Sequence, residues 1–364
     1  MSYLEILLEG VEVDWKPLGA VTSISRGRRV TKKDLSPEKP YPVYSGGVTP
    51  MGFFERYNYD ENTITIVKYG TAGFVNFITE KFWANDVCYC VKPSNVLINK
   101  YLLYALKNNQ NQISSLVTDA IPAHLPTEAI NGLKIPIPPI EVQKEIVRIL
   151  DSFTELTAEL TAELTARKQQ YSYYREQLLS FEDREVEWKT LGDIAAIGTG
   201  RHDTKDADEN GQFVFYARGV NPLKLNTYDF EETAIITAGD GVGVGKVFHW
   251  AEGKYALHQR AYRITPNKDI INPRYVYHYL LANFYTYIEK TSVSSSVTSM
   301  RKPMFLKFPV AIPSLEEQTH IVSILDKFHT LSTSISEGLP KEIELRQKQY
   351  AYYRDLLLSF PKLD

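Results

Sequence analysis

The segment SRGRRVTKK at Ser25–Lys33 gathers Arg26, Arg28, Arg29, Lys32 and Lys33 with no carboxylate among them. Lysine and arginine in a loop meet phosphates, and the planar fork of arginine also fits the O6 and N7 edge of guanine. A lone charge run is more often a solvated surface. Here other polar loops share the character. Tyr44 and Ser45 sit in YSGGVTPMG, and Lys68, Tyr69 and Thr71 in KYGTAG. Further along, GTGRHDTKDADEN holds Arg201, His202 and Lys205 beside a run of acids, and YARGVNPLK holds Arg218 and Asn221. KTSVSSSVTSMRK closes the series with Ser295, Arg301 and Lys302, mixing hydroxyls and cations that suit phosphate oxygens. The chemistry expected of this set is non-covalent contact with a nucleic-acid backbone and base edges.

Signs of catalysis are missing from the sequence. AGDGVGVGKVFHW at Ala238–Trp250 has the look of a phosphate loop, but Asp240 stands where the first glycine belongs and Val247 replaces Ser/Thr. Strand-like VFHW follows it, so no helix N-terminus is there to hold a phosphate. The counterpart KYGTAGFVNF keeps a glycine turn without a lysine at that point, and a turn between strands is expected in both places. The seven histidines are scattered, and His258 aligns with Asn85, which a shared catalytic base would not do. No hydrolase elbow, zinc-protease or adenine methyltransferase motif is found, nor a nuclease carboxylate cluster. Cys88 and Cys90 fall on one face of an expected strand and read as buried thiols, since two ligands make a poor zinc site.

The 364-residue chain has room for two domains, and its 43% hydrophobic and 23% charged residues fit a globular protein. A net charge of −3 rules out binding to polyanions by overall charge and leaves the work to local patches. The 24 tyrosines suit cores, interfaces and base stacking alike. The acidic N-terminus lacks the basic region of a signal peptide, and no apolar run reaches the ~20 residues that span a bilayer. A reducing, cytoplasmic compartment and no membrane partner are expected.

These loops must be held by something, and the chain shows what by repeating itself. VEVDWKPLG (Val11–Gly19) returns as REVEWKTLG (Arg184–Gly192), and YPVYSGGV (Tyr41–Val48) as FVFYARGV (Phe213–Val220). IPPIEVQKEIVRILDSF (Ile137–Phe153) returns as IPSLEEQTHIVSILDKF, and RKQQYSYYREQLLSF (Arg167–Phe181) as RQKQYAYYRDLLLSF. Each half therefore runs from a Trp-x-x-Leu-Gly entry through a variable body and a Pro-rich hinge to a long helix. Steps of four and three through Ile146, Leu150, Phe153, Leu160, Leu164, Tyr171, Tyr174, Leu178 and Phe181 predict a coiled-coil seam on a helix roughly 60 Å long. The second copy repeats the seam from Ile321 through Leu325, Phe328, Ile335 and Leu339 to Phe360, with a break or kink expected at Pro340. NTITIVKYG, FVNFITEKF and VCYCV read as strands, as do TAIITAG, GKVFHW and RAYRIT; KYLLYALKNN and RYVYHYLLANFYTYIEK read as helices. The fold class expected is α+β, with bodies at 1–140 and 184–313 and helices at 141–183 and 314–364.

The first helix also carries the word T-A-E-L twice in TELTAELTAELTA (Thr154–Ala166). This layout and these phrases resemble the specificity subunit of type I restriction–modification systems, and the T-A-E-L words its type IC subfamily. The resemblance covers nearly the whole chain; it is specific in the helical framework and holds only in outline in the bodies. It implies two β-rich target recognition domains, each reading one half of a bipartite asymmetric sequence in double-stranded DNA. Two long antiparallel coiled-coil helices would join them as a pseudo-two-fold internal repeat. Two modification subunits would dock on the framework and methylate adenine N6 with S-adenosylmethionine. Restriction subunits, using ATP and Mg2+, would translocate and cut DNA. The chain itself would be non-catalytic and bind no cofactor. Each T-A-E-L would act as a length unit, adding about 6 Å to the helix and widening the gap between half-sites. The stacked Glu155, Glu159 and Glu163, relieved at one end by Arg167, would face basic groups on the second helix or on the modification subunit. The readings that compete are a solitary DNA-binding regulator, a coiled-coil adaptor with two protein-binding domains, and an ATP-using enzyme built on the glycine-rich loop.

Overall fold

Each Trp-x-x-Leu-Gly phrase opens a strand and each Pro-rich hinge opens a helix, so the two repeats fold alike. The structure, a computed structural model, describes residues 7, 10–181, 184–241, 243–291, 299–334 and 337–360; Ser295 and Ile335 lie outside them. One compact unit gathers the chain up to Leu160 together with the segment from Ile343 onward, and the second takes Thr161–Glu342.

In the first unit, β1 (Asp14–Pro17) pairs antiparallel with β9 (Lys134–Ile137), placing Trp15 opposite Pro136. This ribbon ties the start of the body to its end. The main antiparallel sheet runs β2 (Thr22–Arg26), β8 (Cys88–Pro93), β5 (Thr63–Val67), β6 (Val75–Ile78). A smaller sheet sets β3 (Tyr41–Tyr44) between β4 (Phe53–Phe54) and β7 (Trp83–Ala84), parallel to the latter. In the second unit β10 (Glu187–Thr190) pairs with β19 (Pro309–Ile312) in the same way, Trp188 opposite Ala311. Its main sheet runs β11 (Ala195–Thr199), β18 (Ala261–Pro266), β15 (Ala234–Ala238), β16 (Phe248–Ala251). The smaller one runs β13 (Leu223–Leu225), β12 (Phe213–Tyr216), β17 (Lys254–Leu257), β14 (Phe230–Glu231), again with β12 parallel to β17. The strand-like runs of both halves thus form strands. The central ones, TITIV and AIITA, are buried along nearly their whole length, which is why they read as continuous apolar runs rather than alternating ones.

Helix α1 (Asn99–Asn108) closes the first body and α3 (Pro273–Thr291) the second. Each carries a fully buried tyrosine whose hydroxyl donates to the ribbon: Tyr101 to the Pro136 carbonyl and Tyr275 to that of Ala311, both at 3.0 Å. In chain order α2 (Ile140–Leu178) follows α1, and its 39 residues make about 58 Å of helix. Its seam residues Ile146, Leu150, Leu160 and Tyr171 are buried, as is Phe181, which follows the end of the helix. Ile146 and Leu150 join the core of the first unit beside Ile64, Tyr101, Leu357 and Phe360. Tyr171 and Phe181 join that of the second beside Ile235, Phe284, Ile321 and Leu325. The helices run antiparallel in the second unit: Tyr171 lies beside His329, Tyr174 stacks on Phe328 at 5.4 Å, and Arg184 reaches Glu317 at 2.7 Å.

The partner of α2 is two helices, α4 (Leu315–Thr333) and α5 (Leu339–Leu358). The break precedes Pro340 rather than falling on it. Gly338 adopts φ +80°, a conformation no other residue type takes cheaply, and Pro340 then sits in the first turn of α5, where its missing N–H costs nothing.

The repeated hinge owes its sequence to one buried amide. Gln143 accepts from Ile98 N–H and donates to the Val96 and Pro138 carbonyls, all at 2.9 Å. Gln318 accepts from Asn272 N–H and donates to the Pro313 carbonyl, both at 2.8 Å. A second joint lies about two turns on. Asp151 takes Lys100 and the Tyr104 hydroxyl, both at 2.6 Å; Asp326 takes Arg274 and His278 Nε2, both at 2.7 Å. The T-A-E-L glutamates are exposed: Glu163 pairs with Arg167 at 3.3 Å, while Glu155 and Glu159 take no ion pair among the described residues.

Candidate nucleic-acid interface

The basic loop of the first body is pinned at both ends. Gly27 begins it, and a Cβ there would fall 2.0 Å from the Ala84 carbonyl oxygen, so no other residue fits. Arg28 N–H donates to that carbonyl at 2.9 Å, and the Arg28 carbonyl accepts from Trp83 Nε1 at 2.7 Å. Val30 is held through its N–H and its carbonyl by the buried side chain of Asn85. A reciprocal bond pair between Thr31 and Asp34 then closes a short 3-10 turn over Lys32–Asp34. The backbone is therefore fixed while Arg26, Arg28, Arg29, Lys32 and Lys33 project outward, exposed and without an ion pair among the described residues. Arg26 and Arg28, with Arg56, Tyr57, Asn58, Tyr59 and Trp83, line a cleft of about 540 Å³.

A second pair of loops lies against the first through the same Asn85, whose amide also reaches Ser45 Oγ at 3.4 Å. Thr71 donates its N–H and its hydroxyl to the Gly46 carbonyl, fastening Ser45–Gly46 to Tyr69–Thr71. Lys68 is 8% exposed, its ammonium 5.3 Å from the Tyr69 ring and 5.7 Å from the Tyr89 ring. Tyr69 stacks on His124 at 5.4 Å. Tyr44 turns its ring edge-on to Phe82 in the interior, and burial pushes its hydroxyl pKa up. Cys88 and Cys90 are both buried beneath these loops, and Cys88 Sγ donates to the Ser45 carbonyl. Burial raises the Cys88 thiol to about 12, far from a reactive thiolate.

The second body uses the same frame with different side chains. Gly200 matches Gly27, with a Cβ 1.9 Å from the Leu257 carbonyl oxygen, and Arg201 follows as Arg28 does. His258 takes the place of Asn85: its N–H bonds Tyr216 as that of Asn85 bonds Tyr44. His258 Nδ1 accepts from Arg260 N–H at 2.9 Å, which makes it the unprotonated nitrogen, and burial lowers the pKa of the ring. This is a satisfied structural histidine, as the Asn85 alignment implies.

The charges, however, are arranged differently. Arg201 Nε bonds Asp229 Oδ1 at 2.7 Å, and His202 Nε2 lies 3.2 Å from the same oxygen. Asp229 stands where the first body has Asn58, whose amide is spent on the Ala84 backbone. Arg218 and Arg260 both bond Asp240, at 2.9 and 3.0 Å. Lys205 sits on a 3-10 turn closed by Asp203 and Asp206, the counterpart of the Thr31–Asp34 turn, and Asn221 is exposed in the loop before β13. Ser299 bridges Asp240 and Met300 N–H bonds the Gly239 carbonyl, which brings the exposed Arg301 and Lys302 beside this strand end. The glycine-rich run links β15 to β16 as a turn, and Lys246 lies 4.5 Å from the Tyr285 ring instead of awaiting a phosphate.

The sequence reading passed over Asn58, Asp229 and Arg260 as site residues and met Asp240 only as a fault in a phosphate loop. Continuing the Asn85–His258 alignment two residues onward would have found Arg260. Asn58 and Asp229 stand beside very short strands that carry no periodic signal.

The frame, so built, has known relatives. A family model for the type I restriction modification DNA specificity domain matches residues 11–167 and again 184–345. The specificity subunit of the Escherichia coli type I restriction enzyme EcoR124I/EcoR124II is 35% identical over a 412-residue alignment, covering 100% of this chain and 98% of the relative. A Haemophilus influenzae protein named as a type I restriction enzyme specificity subunit is 34% identical over 390 residues, covering 99% and 98%. The crystal structure of a type I restriction–modification S subunit from M. genitalium shares the fold with a TM-score of 0.72 at 18% identity, over 97% of this chain and 98% of that one. Two matched repeats and full-length relatives place the chain in the family of type I restriction–modification DNA specificity subunits.

Proposed function

We propose that each body reads one half of a bipartite, asymmetric sequence in double-stranded DNA, and that the helices fix the gap between the halves. The observation that carries this is the pair of loop cradles on one backbone frame with unlike charges: free cations at Arg26–Lys33, and arginines tied to Asp229 and Asp240 in the second body. One scaffold holding unlike readers suits a target whose two halves differ. Arginine and lysine contacts to phosphate position the protein, and contacts to base edges specify the sequence.

The chain supplies recognition, and partners supply chemistry. Two modification subunits carrying S-adenosylmethionine methylate adenine N6, and restriction subunits use ATP and Mg2+ in the cytoplasm. Full-length likeness to named specificity subunits supports this division, and the T-A-E-L words support a type IC-like assembly. Neither binding loop holds a nucleophile with an activating base, and the cysteines and His258 are engaged in packing.

Single-molecule methylation mapping tests the reading in a host that expresses this chain with its modification subunit, against a control without the chain. The expected result is a bipartite asymmetric motif with adenine methylated on each strand. A complex that forms but leaves no motif would overturn the reading.

A further inference from the structure

We propose that Asp240 is a positioning residue that holds Arg218 and Arg260 as a pre-set pair for a G·C base pair in the half-site read by the second body. This rests on the half-site reading above and names the recognition chemistry of one half. Each carboxylate oxygen takes one guanidinium: Oδ1 bonds Arg218 Nη1 and Oδ2 bonds Arg260 Nη1. Each arginine spends a single nitrogen on Asp240 and keeps its remaining N–H donors for a ligand. The arginine side chains are 41% and 63% exposed and that of Asp240 is 20% exposed, so the carboxylate sits at the base and the guanidiniums at the rim.

The backbones beneath are locked. Gly239 N–H bonds the Arg260 carbonyl at 2.8 Å, Met300 N–H bonds the Gly239 carbonyl at 2.7 Å, and Arg260 N–H bonds His258. The loop bearing Arg218 is tied in by the bond from His249 Nε2 to the Gly219 carbonyl. Three polypeptide segments thus aim their side chains at one point.

A carboxylate between two arginines is a poor phosphate site, because it repels phosphate oxygens. It suits a G·C pair in the major groove. Guanine presents the O6 and N7 acceptors that arginine grips in bidentate fashion, and the carboxylate beneath fixes the direction of both forks. Lysine would offer a point charge instead of a fork. In the first body the matching backbone positions are Gly46, Tyr69 and Val87, as shown by Lys68 N–H on Val87 and Leu125 N–H on Lys68. The device therefore belongs to one half-site only.

Methylation mapping of the full chain with its modification subunit tests this through Asp240→Asn and Arg218→Lys, two conservative changes, the first at the largely covered carboxylate and the second at the exposed rim. The wild-type motif is expected to contain a G·C pair in one half-site. Each variant is expected to weaken the preference for that pair by about 10-fold or more, with the other half-site unchanged. A motif with G·C in neither half overturns the inference and leaves the half-site reading intact. So does a preference that stays within about two-fold in both variants, or a loss spread evenly over both half-sites, which is what a structural role for Asp240 would give. A wild-type complex with no motif at all overturns both readings.

Discussion

Asn58 and Asp229 occupy the same place in the two bodies, and a single charge separates what they do to the arginine beside them. Asn58 turns its amide onto the Ala84 backbone, with bonds of 2.7 and 3.0 Å, and leaves Arg28 without an ion pair among the described residues. Asp229 keeps one oxygen on Leu257 N–H and gives the other to Arg201. Asp229→Asn should free Arg201 for phosphate, and Asn58→Asp should capture Arg28. The slope of log affinity against log salt, measured on the assembled complex, is expected to steepen by about 0.9 in the first variant and flatten by about 0.9 in the second. Slopes that stay as in the wild type would show that neither arginine meets phosphate.

The hinge glutamines should be costly to remove. Gln143 is fully buried and satisfies an N–H and two carbonyls at the start of α2. Gln143→Leu leaves those backbone groups without partners, at a cost of about 2 kcal/mol or more. Chemical denaturation of the full chain measures it. An unchanged midpoint would mean that the hinge relaxes to let water in.

Acid should loosen the two units unequally. In the second, burial holds His329 down from 6.5 to about 4, assisted by the charges of Arg274 and His278 and opposed by Asp326; burial lowers His278 as well. The unfolded chain protonates these rings as pH falls through 6.5, while the folded chain resists. Their contribution is whole above pH 6.5 and is lost as pH falls toward 4. The matching joint of the first unit has Tyr104 and Thr154 in their place, neither of which titrates between pH 4 and 6.5. Hydrogen exchange at pH 7 and pH 5 should show protection falling more in the second body. His329→Gln should flatten the difference, and equal loss in both bodies would count against the account.

Lengthening α2 should move the gap and nothing else. A third full T-A-E-L adds about 6 Å of helix, and the exposed Glu155, Glu159 and Glu163 show that the word's charged position faces away from the seam. Methylation mapping is expected to show both half-sites unchanged and the gap one base pair wider. An altered half-site would refute the ruler.

The helices and the central strands were legible because each rests on a long, repeated pattern. The seam through Ile146, Leu150, Tyr171 and Phe181 recurs at heptad spacing, and the second copy restates it. The end of α4 was less clear, since the helix stops at Thr333, with Ser334 extended, well before the more visible Gly338 and Pro340. The basic loop was legible as charge. Its rigidity was not, because that comes from Asn85 and Gly27, which meet it only in three dimensions. The ties of Asp229 and Asp240 to their arginines were hidden for the same reason: Arg201 and Asp229 lie 28 residues apart, and Arg218 and Asp240 lie 22 apart.

Tyr101 and Tyr275 hang each body on its ribbon by one hydroxyl bonded to a main-chain carbonyl, and Gln143 and Gln318 likewise grip backbone atoms alone. Fastenings of this kind ask nothing of the side chains on the other part. A body from a distant relative that keeps partners for Asp151 or Asp326 could be grafted between the hinge and the Trp-x-x-Leu-Gly phrase, bring an unrelated set of loops, and still seat. Genes of this build can thus trade half a target in one recombination event, while the two long helical segments keep their own sequence and surface.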